Sequence, residues 1–273
     1  VAILIRHSAD NLVANNEISH FQYSGISCGW VWGYAANISR DNLILYNHIH
    51  HLGEEHLLVD MGGIYTLGVQ QGSVIRGNHI HDIRGDIISW GIYLDEGSSE
   101  FLVERNLVYN IRSECFHLHY GRRNVVRDNV FAFGGKEGIS SVTRGTMGRD
   151  LKFTPGDIAL IFSNNIMVSS GEPFIVKYML DYQIKEDLSC IESDSNIMQS
   201  IYNELPVIVC DGFHIFDMTY QVKLGEKELR SQNRLEKNSL FVCSAEPLSS
   251  EVCRRFISPE TEVLYRQLFS TNR

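Results

Sequence analysis

Short apolar runs, each interrupted by asparagine, recur along the first two thirds of the chain. The segment Asp10–His20 reads Asp-Asn-Leu-Val-Ala-Asn-Asn-Glu-Ile-Ser-His. Related segments start at Asp41, Gly72, Glu100 and Asn124, and a fainter copy ends at Asn164-Asn165-Ile166-Met167. Asn16, Asn47, Asn78, Asn106 and Asn129 mark the repeat; by subtraction they are 31, 31, 28 and 23 residues apart. Three residues before each Asn stands an apolar residue (Val13, Ile44, Ile75, Val103, Val126). Two residues after it stands another (Ile18, Ile49, Ile80, Val108, Phe131). Two short strands thus flank a tight bend. Asn suits that bend because its short polar side chain bonds locally and enters the left-handed region cheaply.

Stacked copies would set the Asn amides in a ladder, each serving the next. One unit per winding, with uneven loops between, is the pattern of a parallel β-helix. An array of βαβ units is excluded, because no helical periodicity of about 10–15 residues separates the copies. The chain is therefore expected to be all-β, a parallel β-helix over 1–180. Residues 181–273 are expected to hold closing coils and an irregular, partly helical C-terminal cap. Ser258-Pro259-Glu260-Thr261-Glu262 reads as a helix start within that cap.

A second strand in each unit carries unusual chemistry. Aligning Gly63, Gly91, Cys115 and Gly138 puts Ile64, Ile92, Phe116 and Ile139 in one inward column. Tyr65, Tyr93, His117 and Ser140 form the next column outward. Leu67, Asp95, His119 and Val142 form the one beyond it. Polar and aromatic groups concentrate on one external face over three windings.

Composition narrows the partners. With 24 Lys+Arg against 33 Asp+Glu and a net charge of −9, the chain lacks the cationic excess that nucleic-acid phosphates require. No apolar run approaches the roughly 20 residues of a membrane span. The six Cys are scattered without a CxxC, so a structural zinc site is not expected. Any bridge would best join Cys243 and Cys253. The chain opens directly in an apolar strand, Val1-Ala-Ile-Leu-Ile5, with neither an initiator Met nor a signal pattern, and reads as truncated or processed.

Asp60-Met-Gly-Gly-Ile-Tyr-Thr-Leu-Gly68, Trp90-Gly-Ile-Tyr-Leu-Asp-Glu-Gly-Ser-Ser99 and Phe116-His-Leu-His-Tyr-Gly-Arg-Arg-Asn124 resemble segments of right-handed, pectin-lyase-like parallel β-helix proteins from bacterial glycan-degrading systems. The likeness runs from about Val1 to Ser170. Lys237-Asn-Ser-Leu-Phe241 resembles the stretch before that family's last coil. Ser244-Ala-Glu-Pro-Leu-Ser-Ser250 departs from it, where an Asp-Pro-Leu-Phe type of sequence is usual. The resemblance implies an extracellular or periplasmic protein acting on a polysaccharide or oligosaccharide. A glycoside hydrolase is the first expectation, with Asp95, Asp60 and Glu96 as catalytic carboxylates and no cofactor. A polysaccharide lyase is the alternative, with calcium held by Asp95 and Glu96. A glycan-binding or structural β-helix without turnover is the third.

Tyr65, Tyr93, Trp90, Trp32, His117 and His119 are the expected sugar-binding residues. His119 should lie about 4.8 Å from the Asp95 column, one winding away. His117 and His119 with Asp95 and Glu96 also have the make-up of a metal site, although none is assigned. Asp60 is harder to place. On straight strands it would sit roughly 23 Å from Asp95. A carboxylate pair needs about 5–5.5 Å for retention or about 6.5–9.5 Å for inversion. Asp60 can serve only if the chain folds back before Gly62-Gly63; Glu96, Glu55 and Asp86 are its rivals. His48 with His79, and His50 with His81 and Tyr109, fall on another face and are expected as stacked surface imidazoles. Trp30 and Tyr34 accompany Trp32 on one loop, and Asn37-Ile38-Ser39 fits a glycosylation acceptor.

Overall fold

The computed structural model describes residues 1–136, 138–144, 158–179, 190–202, 208–214, 217–231 and 236–271. Its strands form three sheets of nine, seven and eight members, and each sheet takes one strand from each successive winding. All strand pairs are parallel except the last in the first sheet, Ile208–His214 with Asp217–Leu224, which is antiparallel. This is the expected parallel β-helix. The windings continue through Ile191–Asp194, Ile197–Ser200 and Leu240–Cys243. The 180/181 boundary itself lies outside the described residues.

The expected apolar columns form the core. Ile44, Ile75, Val103 and Val126 stack at 0–1% exposure, as do Ile49, Ile80, Val108 and Phe131. Each aliphatic side chain so buried contributes about 1.5–3 kcal/mol. The Asn ladder forms too. Asn16, Asn47, Asn78, Asn106, Asn129 and Asn165 each donate a side-chain N–H to the next Asn, ending on Asn196, from Asn16 at 2.9 Å to Asn165 at 3.3 Å. Asn196 ends the ladder, its backbone N–H donating to Ser239 Oγ at 2.8 Å.

The left-handed bend falls one residue earlier than expected. Asn15, Tyr46, Arg105, Asp128, Asn164 and Ser195 have φ between 55° and 59°, and Gly77 has 67°. The ladder residue is Asn for its amide, which joins neighbouring windings, and the residue before it makes the turn. Because that turn is spread over Tyr, Arg and Asp, its cost of roughly 1–2 kcal/mol per non-Gly residue must be offset by the ladder bonds.

The helical cover lies along a flank. Ser258 Oγ accepts from Thr261 N at 3.2 Å and starts the helix Pro259–Thr271 as expected. Its Tyr265 and Leu268, with Cys253 and Ile257, pack on Leu107, Val130, Ala132, Ile166, Val168 and Ile197 of the third sheet's outer face. Those outward apolar side chains require the cover. Cys243 is exposed, Cys253 is buried, and the two are not bridged. Among the described residues, no helix is long and apolar enough to cross a membrane.

Candidate active site

The site is built on the outer face of the first sheet by the strands Met61–Thr66, Ser89–Leu94 and Phe116–Leu118. Their register places Tyr65, Tyr93 and His117 side by side. The Tyr65 and Tyr93 ring centroids are 5.1 Å apart, and those of Tyr93 and His117 are 5.2 Å apart.

The strands bend here, and the bend is what brings Asp60 in. A Cβ on Gly63 would meet Ile80 Cγ2 at 2.6 Å, inside the core, yet the next residue, Ile64, is also fully buried. Two consecutive inward positions break the alternation of a straight strand. The outer face closes up around the break. Trp90 and Tyr93 would be separated by about 10 Å on a straight strand, but their ring centroids are 4.2 Å apart. Asp60, with φ 58°, turns back over the same line. Its N–H donates to Ile88 O at 2.9 Å, and its Oδ1 accepts from Tyr93 Oη at 3.1 Å. The turn lies at Asp60, before Gly62-Gly63, and the strand Met61–Thr66 runs through both glycines.

Asp95 is reached from the other side. Its Oδ2 accepts from Tyr65 Oη at 2.6 Å, and its Oδ1 lies 2.7 Å from His119 Nδ1. The Tyr93 hydroxyl also interacts with Asp95. One phenol thus stands beside both carboxyl groups, and Asp95 is near enough to repel the Asp60 charge.

The two acids are shifted in opposite directions. Desolvation, then repulsion from Asp95, raises the Asp60 carboxyl above its ordinary value. Burial also pushes Asp95 up, but hydrogen bonds from His119 and Tyr65, attraction to His119 and the Glu96 backbone N–H outweigh it. Asp95 sits below its ordinary value. Tyr65 and Tyr93 are both raised, by burial first and then by Asp95, so they remain protonated donors. Burial and then His119 push His117 down to about 3, so it is neutral.

The remaining expected residues divide. Glu96 turns away from Asp95, and its Oε2 accepts from the buried Tyr120 Oη at 3.0 Å. Trp90 is only 7% exposed, stacks on His117 at 4.5 Å and donates Nε1–H to Glu114 at 2.5 Å. His117, 5% exposed, has Nδ1 2.6 Å from Ser141 Oγ. Trp90 and His117 therefore buttress the site and do not offer a free ring face to a sugar. Trp32 is 61% exposed, and the neighbouring Gly33 N–H donates to Glu96 O at 3.1 Å, which sets the loop at the rim. Trp30 is covered on one face by Arg6, 4.2 Å from its ring. Glu55 and Asp86 are exposed, and their main chains bond to Gln22 and to Leu58 and Arg112. Asn37, of the acceptor pattern, is half-buried, with its Nδ2 covered and without a hydrogen-bond partner.

A family model described as a right-handed beta helix region matches residues 1–158. The chain belongs to that family. No curated protein and no solved structure matches it. The matched part of this right-handed β-helix contains every residue of the site.

Sequence reasoning missed three neighbours. Tyr23 Oη donates to Asp60 O at 2.7 Å, and burial first, then Asp60 and Asp95, raises the tyrosine. Adding Gly25, whose Cβ would meet Gly63 O at 2.8 Å, to the glycine column would have found it. Ser141 was missed through a slip of one residue. Phe116 pairs with Ser140 and His117 with Ser141, so Ser141, not Ser140, continues the His117 column, and Thr143, not Val142, continues that of His119. Ile139, fully buried, takes the inward place assigned to Gly138 and faces Cys115, whose N–H donates to Ile139 O at 2.8 Å. Glu114 gives no local signal, since only the stacking of windings brings it to Trp90.

Proposed function

We propose that this β-helix is a glycoside hydrolase acting outside the cytoplasm on a polysaccharide or its side chains. The observation that carries the reading is the pair of carboxyl groups from adjacent windings, joined through Tyr93 and pushed in opposite directions. Such divergence is what acid and base roles require. Asp60, whose proton is retained to higher pH, is the general acid. It gives that proton to the glycosidic oxygen, the C–O bond breaks, and the leaving sugar takes the electron pair. Asp95, the ionised member, supplies negative charge facing the oxocarbenium-like carbon. Water adds to that carbon, and its proton is taken up by the Asp95–His119 pair. Tyr65 and His119 offer hydroxyl and imidazole groups to the sugar, Trp32 offers an exposed ring face at the rim, and Tyr93, 3% exposed, positions the carboxyl pair from beneath.

The lyase reading is disfavoured by the same contacts. Both Asp95 oxygens are engaged, by Tyr65 and His119, while Glu96 faces Tyr120. A calcium ion bridging Asp95 and Glu96 would have to break these bonds. The test is a panel of plant, algal and host polysaccharides assayed for reducing ends, with Asp95→Asn and Asp60→Asn beside the parent. Release of reducing ends that falls at least about 10²–10⁴-fold in each variant supports the proposal. Unsaturated, ultraviolet-absorbing products would favour the lyase, and binding without turnover a lectin-like role.

A further inference from the structure

A second chemical cluster lies on the third sheet's outer face, away from the carboxylate pair. The strands His48–Leu52 and His79–Ile83 pair with His48 opposite His79 and His50 opposite His81, and Tyr109 follows His81 on the next strand. Ile49 and Ile80 point into the core at 0% exposure, so the histidines alternate outward. Stacking is as expected from the sequence. His48 and His79 stack at 4.8 Å and 12°, His50 and His81 at 5.1 Å and 5°, and His81 and Tyr109 at 5.0 Å and 7°.

Stacking does not account for the nitrogens. His48 Nε2 and His81 Nε2 meet at 2.9 Å, a contact that needs a proton or a cation between two lone pairs. One ring nitrogen each from His48, His79 and His81 lie within 4.8 Å of one another. His81 Nδ1 is 2.7 Å from Asp82 Oδ2, a bond that keeps the proton on Nδ1 and leaves the Nε2 lone pair directed at His48. Tyr109 Oη, 3.2 Å from His79 Nε2, orients the third ring.

We propose that His48, His79 and His81 form a site for one divalent transition-metal ion of the zinc type, with Asp82 as its positioning carboxylate. Three imidazoles with an outward-facing fourth position match zinc, copper or nickel, whereas calcium and magnesium require oxygen donors. Two other donor sets overlap this one, Glu17 with His48 and His50, and His51 with His81 and Asp82. The first depends on the Glu17 side chain, 72% exposed, and the second consumes the bond that orients His81. Each shares His48 or His81 with the proposed set, so neither can be filled beside it. This inference is independent of the carbohydrate reading.

The test is calorimetric titration of chelator-stripped protein with Zn²⁺, together with Co²⁺ absorption spectra. The expected result is one equivalent bound, and a cobalt spectrum of the intense, four-coordinate kind. His48→Gln and His81→Gln should each weaken binding at least about 100-fold, and Asp82→Asn about 10–100-fold. His119→Gln, on the first sheet, should leave stoichiometry and affinity unchanged. Circular dichroism checks the fold of each variant. A weak, octahedral cobalt spectrum from the parent protein, or no binding, overturns the proposal. So does binding that survives both His48→Gln and His81→Gln, or that is lost in His119→Gln.

Discussion

Asp60 and Asp95 carry the same side chain, and their surroundings pull its proton affinity apart. Tyr93 and Tyr65 are the handles. In an active preparation, the acid limb of kcat/KM should follow protonation of Asp95, and the alkaline limb ionisation of Asp60. Tyr65→Phe removes a donor that lowers Asp95, so the acid limb should move to higher pH while the alkaline limb stays. Tyr93→Phe removes a donor that lowers Asp60, so the alkaline limb should move to higher pH. Limbs that stay fixed in both variants would contradict the assignment. At this scale the sequence was partly legible. Strand alternation and the repeat together put Tyr65, Tyr93 and His119 beside Asp95. The approach of Asp60 was not derivable, because it depends on two consecutive inward residues at Gly63 and Ile64. A period of two cannot express that bend.

At the scale of the element, the asparagine ladder ties each winding to the next. Asn106 Oδ1 accepts from Asn78 N and Nδ2, and its own Nδ2 donates to Ile75 O and Asn129 Oδ1. Asn106→Ala should therefore strand several buried polar groups at about 1–3 kcal/mol each, and lower unfolding free energy by about 3–5 kcal/mol in urea titration. Asn16→Ala, at the first rung, should cost about 1 kcal/mol, since Asn16 donates to Asn47 and to Ala14 O in a part-buried setting. Equal losses at the two positions would argue against the ladder as the inter-winding tie. The ladder was readable as far as Asn165 because apolar residues bracket each Asn. At Asn196 the residue three before is Ser193, which is buried and bonded to Glu236, so the apolar signature vanishes while the winding persists. Polar pairs inside a solenoid hide windings from a hydrophobic reading.

Across the whole molecule, the third sheet changes character along its length. Its outer face presents imidazoles at His48, His50, His79 and His81, then apolar side chains from Leu107 onward, which the terminal helix covers. Tyr109 touches both regions. The helix is thus part of the solenoid's stability. Tyr265 is fully buried, and its hydroxyl donates to Gln199 Oε1 at 2.6 Å. Tyr265→Ala should lower unfolding free energy by about 3–5 kcal/mol. Deletion from Ser250 onward should yield an aggregating protein by light scattering, because the flank of Val130, Ile166 and Ile197 would be bare. A monodisperse, equally stable truncation would contradict the covering role. The helix was legible from its Ser258-Pro259 start, but its docking on the flank was not, since that depends on which outward residues of distant windings are apolar.

The most direct test of the central claim needs no substrate. Aspartate ¹³C-carboxyl NMR titration of the parent protein, with Asp60→Asn and Asp95→Asn for assignment, should place Asp60 above and Asp95 below the ordinary aspartate value. Because Asp95 repels the Asp60 charge, Asp95→Asn should move the Asp60 midpoint downward. Midpoints in the reverse order, or an Asp60 midpoint unmoved by Asp95→Asn, would mean that the stacked windings do not bring the two acids into one site.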